Sequence, residues 1–273
     1  MSKCRICSGI NEEIMNFGKI ALVGNFFKKS KNLKKYKISL NFCKKCKHVQ
    51  IREILNPDLL FQNYLWETGV SKSNMDLIND LSKKIKKFQI KKKSKVLEIA
   101  SNDGSLLSYF KKKFKCYVLG VDPAKNLENK KIFTIIDYFN YLLSKKIKKK
   151  FKTFDFIIAR NVIAHVPNPN EIFSGVDNLL TEKGVFIIEV PHLKNIIEQN
   201  QYDNIFHEHI GFHSLKSIID LSRKNNLKVF NVEKIDSQGG SIRCYICKKN
   251  YKKKIQKQVK TMLDNEKKNR IIF

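Results

Sequence analysis

Lys95-Val-Leu-Glu-Ile-Ala-Ser-Asn-Asp-Gly-Ser105 is a strand, a tight turn and the entry to a helix over 106–114. A short apolar run that stops at a small, polar turn is how a buried parallel strand hands the chain to a covering helix. In a doubly wound sheet the first such unit is where nucleotides bind, at the carboxyl ends of the strands. Glycine normally lets the backbone approach the ligand there, but this turn keeps only Gly104, with Ala100 in an earlier slot. A generic dinucleotide fingerprint is therefore absent.

Outward from this unit, β-rich apolar runs at 116–122, 133–137, 154–159 and 184–190 alternate with helical segments. That alternation implies a mostly parallel sheet covered on both faces, an α/β, Rossmann-like fold. Two more runs, 227–232 and 241–246, are joined through Gly239-Gly240 and are expected to pair antiparallel at one edge. Before the sheet, Met75, Leu77, Ile78, Leu81, Ile85 and Phe88 recur near helical spacing and predict a helix over 73–88, capped by Ser73 or Asn74. The expected organisation is a small N-terminal module at 1–56, a connector at 57–94, the α/β domain at 95–249 and a charged helical tail at 250–273.

The chain has 273 residues, of which 42% are hydrophobic, enough for a folded core. No apolar run approaches the roughly 18–20 residues of a membrane span, and Met1-Ser-Lys-Cys-Arg-Ile-Cys7 lacks a secretory apolar segment, so no membrane partner and a cytoplasmic location are expected. The net charge of +29 comes almost wholly from lysine, with arginine only at Arg5, Arg52, Arg160, Arg223, Arg243 and Arg270. Sequence-specific nucleic-acid readers favour the arginine fork, so no specific nucleic-acid partner is expected. The lysine tracts read as solvated faces whose field would suit an anionic, diphosphate-bearing substrate.

Cys4-Arg-Ile-Cys7 and Cys43-Lys-Lys-Cys46 are two C-x-x-C knuckles. Each knuckle turns two thiolates to one point, and two of them close a tetrahedral sulfur shell that prefers zinc. With all four positions filled, the metal is structural, and a segment too short for its own core needs it. Cys244 and Cys247 repeat the spacing inside a β pattern, where they point to opposite faces and serve packing, as does Cys116.

The second strand ends at Asp122, placed to bind the hydroxyls of an adenosine ribose. Asp137 follows the third strand, within reach of an adenine, and Asn161 and His165 follow the fourth. After the fifth comes Tyr202-Asp-Asn-Ile-Phe-His-Glu-His-Ile-Gly-Phe-His213. Imidazole beside a carboxylate points to acid–base chemistry. Two alternatives stay open: a polar loop, or a helix on which His209 and His213 share a face and bind metal with Glu208.

In this order the paired knuckles, Glu98 to Gly104, Asn161 to Pro167, Tyr202 to His209 and Gly239-Gly-Ser-Ile-Arg243 resemble the sugar C-methyltransferases, enzymes that use S-adenosylmethionine (SAM) to branch nucleotide-linked keto-deoxysugars. The resemblance implies a class I methyltransferase fold, structural zinc, and SAM held by Glu98, Ala100, Asn102, Gly104, Asp122, Asp137 and Asn161. It implies His209 as the base that forms an enolate, oriented by Glu208, with His165 beside the carbonyl and Tyr64, Trp66, Phe206 and His207 around the sugar. Trp66 and Phe206 stand where the family commonly has Tyr, so two hydroxyls near the sugar are missing. The family also carries a further C-terminal domain, so the chain is expected to be a fragment, a reduced enzyme or one half of a split enzyme whose partner is a separate polypeptide. The competing expectations are an O- or N-methyltransferase of small molecules, a non-catalytic SAM- and zinc-binding module and, last, a nucleic-acid binder.

Overall fold

The computed structural model describes residues 2–23, 32–127 and 132–269. The N-terminal part forms β1 (Asn11–Ala21), β2 (Lys35–Cys43) and β3 (Val49–Ile51), followed by α1 (Asp58–Phe61) and α2 (Lys72–Lys86). Then come β4 (Lys95–Ile99), α3 (Ser105–Phe114), β5 (Tyr117–Asp122), β6 (Thr134–Ile136), α4 (Tyr141–Phe151), β7 (Phe154–Arg160), α5 (Pro169–Leu179) and β8 (Leu180–Pro191). The chain ends with α6 (Leu193–Glu198), β9 (Gly211–Phe212), α7 (Leu215–Lys224), β10 (Leu227–Ile235), β11 (Ser241–Lys248) and α8 (Lys257–Lys268).

Seven strands form one sheet in the order β10-β11-β8-β7-β4-β5-β6. Strands β4 to β8 run parallel, and β11 is antiparallel to both β8 and β10. This is the mostly parallel, Rossmann-like α/β sheet that the alternation predicts. The expected antiparallel pair is present, with β10 on the outside. The sheet is buried on both faces because its strands carry apolar residues at successive positions. Leu97, Ile157 and Phe186 belong to the core under α4, α5 and α7, while Val96, Ile158 and Ile187 belong to the core under α2 and α3. Cys244 and Cys247 fall in these two different cores, as period-2 alternation requires.

A second sheet has the order β1-β2-β3-β9. Its last strand comes from beyond β8, so the N-terminal part is completed by a late loop of the α/β part. Arg5 strengthens the junction by donating to Ile210 O at 2.8 Å and Ile51 O at 2.5 Å.

The tail corrects an expectation. It is not one helix, because Gln256 N–H pairs with Phe230 O at 2.8 Å and keeps the approach to α8 extended along β10. Residues 270–273 of the expected tail lie outside the described residues. Helix α8 is also not merely a solvated arm: Glu266 is fully buried, accepts from Leu215 N–H, and pairs with His192 Nε2 at 2.8 Å. Its carboxylate thereby caps the first turn of α7, where the helix dipole favours negative charge.

Candidate functional site

The two knuckles converge. The Sγ atoms of Cys4, Cys7, Cys43 and Cys46 lie within 4.8 Å of one another, with Cys4–Cys46 at 3.4 Å and Cys7–Cys43 at 3.5 Å. A tetrahedral zinc with Zn–S near about 2.3 Å requires sulfur separations of this size. The neighbouring Cys46 thiol and backbone amides draw Cys4 down to about 5, against its burial, whereas Cys46 is pushed up by Cys4 and burial, and Cys43 by burial. The sulfurs compete for charge, and a divalent cation resolves that competition for all of them. The donor set fits zinc, and the closed shell makes it structural.

A cavity of about 1200 Å³ opens at the carboxyl ends of the parallel strands. It exceeds the roughly 300–1,000 Å³ of a typical single-ligand pocket. Its wall brings together Tyr64, Trp66, Glu98, Ala100, Asn102, Asp122, Asp137, Asn161, His165, Phe206, Glu208 and His209. Those residues come from the connector, four strand ends and the loop after α6, so only the folded sheet makes them neighbours.

On the cofactor side, Asp122 accepts from Asn102 N–H at 2.7 Å and Ala124 N–H at 2.8 Å, one bond to each carboxylate oxygen. Both oxygens keep free lone pairs for ribose hydroxyls. Asp137 accepts from Tyr138 N–H at 2.8 Å. Ala100, Asn102 and Asn161 hold left-handed φ angles of 57°, 51° and 52°, a conformation that costs non-glycine residues energy and clusters at functional sites. Glu98 is 2% exposed, and burial raises it to about 8 despite Arg160 at 3.5 Å. Its Oε2 and the Arg160 Nε have no partner among the described residues, so an ammonium and a carboxylate would satisfy them. The amino-acid end of SAM carries both groups, and the residues present fit that cofactor.

On the other side, His209 Nδ1 lies 3.0 Å from Asn204 O and so carries its proton there, leaving the lone pair on Nε2. Burial lowers its pKa, so the ring is neutral at pH 7. His165 stands 4.8 Å away, ring to ring, and burial and His209 lower it to about 3. Phe206 packs on His209 at 4.2 Å. Burial and the Glu208 carboxylate push Tyr64 up to about 12, so it remains a phenol.

Several placements depart from expectation. Gly104 does not line the cavity; its φ of 74° makes the turn into α3. Asn102 lines it, but its carboxamide is spent on Trp66 O and Thr68 N–H. His207 faces away, with Nε2 3.3 Å from Tyr36 O on β2. The hydrogen bond that fixes His209 comes from Asn204 O rather than from Glu208. His209 and His213 share no helix, because the loop between them makes β9; His213 stacks on His48 at 4.7 Å instead. No lysine reaches the wall: among the described residues it holds seven carboxylates and Arg160. Arg160 was missed, although it directly precedes Asn161 at a strand end, where binding residues collect.

The comparisons with known proteins bear on the fold and on the two parts of the chain. A family model described as a methyltransferase domain matches residues 67–232, and one for a zinc-binding domain matches residues 4–61. The C-methyltransferase NovU of Streptomyces niveus is 29% identical over 253 residues, covering 89% of this chain and 60% of that protein. The chain thus spans about 60% of the length of the curated relative it matches. Among solved structures, a chain of the complex between the Haloferax volcanii Trm112 methyltransferase activator and a methyltransferase superposes with a TM-score of 0.52 at 11% identity, covering 66% of this chain and 94% of that one. That likeness bears on the fold alone.

Proposed function

The chain belongs to the methyltransferase-domain family, and from that premise we propose that it moves the methyl group of SAM to carbon, beside the ketone of a nucleotide-linked deoxysugar. The observation that carries this reading is His209: a buried, neutral imidazole whose Nδ1–H is committed to Asn204 O, in the same cavity as Asp122 and Glu98. A carbon next to a ketone gives up its proton near neutral pH only to a positioned base. The 29% identity to a C-methyltransferase supports the same assignment.

SAM supplies an electrophilic methyl on a sulfonium. His209 Nε2 takes the proton from the carbon next to the ketone, and the C–H electron pair becomes an enolate. His165, neutral across the working pH range, stands beside the ketone with its ring 4.8 Å from that of His209. SAM, which Asp122, Glu98 and Arg160 would hold, would supply the methyl group to that carbon. Tyr64 and Trp66 wall the sugar. The lysine-free, carboxylate-rich wall suits the uncharged sugar end of the substrate and leaves its diphosphate outside these residues.

The test is solvent deuterium. A keto-deoxysugar nucleotide incubated in D2O with the protein and the demethylated cofactor product should gain deuterium at the carbon next to the ketone, and His209→Gln should abolish this while SAM still binds. Because the base must be neutral, the rate falls as pH drops through the lowered His209 pKa and is flat above neutrality. Methyl transfer to oxygen or nitrogen without wash-in would replace this reading with a small-molecule O- or N-methyltransferase.

A further inference from the structure

The connector segment 62–70 crosses the cavity mouth as a strap, and the structure ties it down at nearly every second residue. Gln62 O accepts from Lys125 N–H at 3.1 Å. Asn126 accepts from Tyr64 N–H at 3.0 Å and donates to Tyr64 O at 2.8 Å. Asn102 donates to Trp66 O and accepts from Thr68 N–H, both at 2.8 Å. Asp103 accepts from Gly69 N–H at 2.7 Å. This is the alternation of a β-ladder, with two asparagine carboxamides standing in for the peptide groups of a neighbouring strand; a carboxamide offers the same donor and acceptor.

The two clasps are not independent of the cofactor site. Asn102 sits in the turn after β4 and Asn126 in the turn after β5, and one carboxylate joins these turns: Asp122 accepts from Asn102 N–H and from Ala124 N–H. We infer that Asn102 and Asn126 are positioning residues that set the Tyr64–Trp66 wall and couple it to occupancy of Asp122, so that the strap tightens when cofactor binds and the acceptor site is completed second. The wall's role rests on the function proposed above; the clasping itself does not.

Trp66 is the only tryptophan in the chain and is 55% exposed, so its fluorescence reports the strap alone. The experiment measures acrylamide quenching of Trp66 in the full chain, with and without SAM, for wild type and Asn126→Ala, together with thermal midpoint and steady-state kinetics. SAM should lower quenching in wild type. Asn126→Ala should raise quenching without ligand, lose the SAM response, raise the acceptor KM about tenfold and weaken SAM by a smaller factor, because the coupling is reciprocal. Asn126→Asp, which keeps the acceptor for Tyr64 N–H but loses the donor, should lie between.

If Asn126→Ala fails to fold, Asn126→Asp tests the same point, because it removes the donor to Tyr64 O while keeping the acceptor for Tyr64 N–H. Quenching unchanged from wild type in either folded variant overturns the clasp, and an undiminished SAM response in Asn126→Ala overturns the coupling. Should wild type not bind SAM at all, the function fails, yet ligand-free quenching still decides the clasp.

Discussion

The four-stranded N-terminal sheet and the seven-stranded sheet are held by different forces. The large sheet is closed on both faces by continuous apolar clusters. The small sheet contributes only Ile38, Leu40, Val49 and Ile51 to its own buried cluster, and Leu193, Ile196 and Phe212 come from the other part of the chain. Most of β1 is exposed. Hydrophobic burial scales with size, so the small part needs what the large part does not: a metal and a neighbour to lean on. It also gives something back, since β3 pairs with β9 and Arg5 holds Ile210 O, which fixes the loop that carries His209.

Removing zinc breaks this comparison most sharply. Structural zinc is worth about 10–16 kcal/mol of binding free energy near neutral pH, so chelation or Cys43→Ser should unfold the small sheet. Methyl transfer should then disappear while the circular dichroism of the large sheet persists; retained activity in metal-stripped protein would contradict the dependence. The converse is Phe173→Ala. That ring is fully buried, 5.3 Å from Phe186, so its loss should cost about 3–5 kcal/mol in denaturant melts and leave zinc content unchanged.

Acid probes the seam between the two parts. Burial lowers His213 to about 4, below the ordinary unfolded value near about 6.5. The unfolded chain therefore binds the proton first, and stability falls as pH drops below about 6.5, by about 2 kcal/mol at pH 5 from this group. His213→Gln should flatten that part of the profile in chemical denaturation. The smallest expected effect is at Asn170 on α5, which donates to Arg5 O at 2.7 Å. Asn170→Ala should cost about 1 kcal/mol, read as a lower melting midpoint with both sheets still folded.

The β-rich runs were legible because a buried parallel strand has to be apolar at successive positions, and the knuckles because four thiols in two pairs have few other uses. Asp122 and His165 were legible as strand-end residues, where a doubly wound sheet exposes its site. The roles of Asn102 and Asn126 were not, since each acts on backbone groups far away in sequence and leaves no local spacing; Asn204 acts through its own carbonyl, which any residue type supplies. The alternative of a helix carrying His209 and His213 fails because pairing with β3 outweighs four-residue periodicity in so short a segment.

The sequence by itself determined the fold class, the sulfur shell and the residue types of the site, because burial pattern, knuckle spacing and strand-end position are local properties of the chain. Only the tertiary structure decided which nitrogen of His209 carries the proton, that the cavity wall is acidic in a chain of charge +29, and that a connector becomes its wall. Those outcomes depend on which backbone groups and charges arrive within a few ångströms, and that is set by how the chain folds and packs.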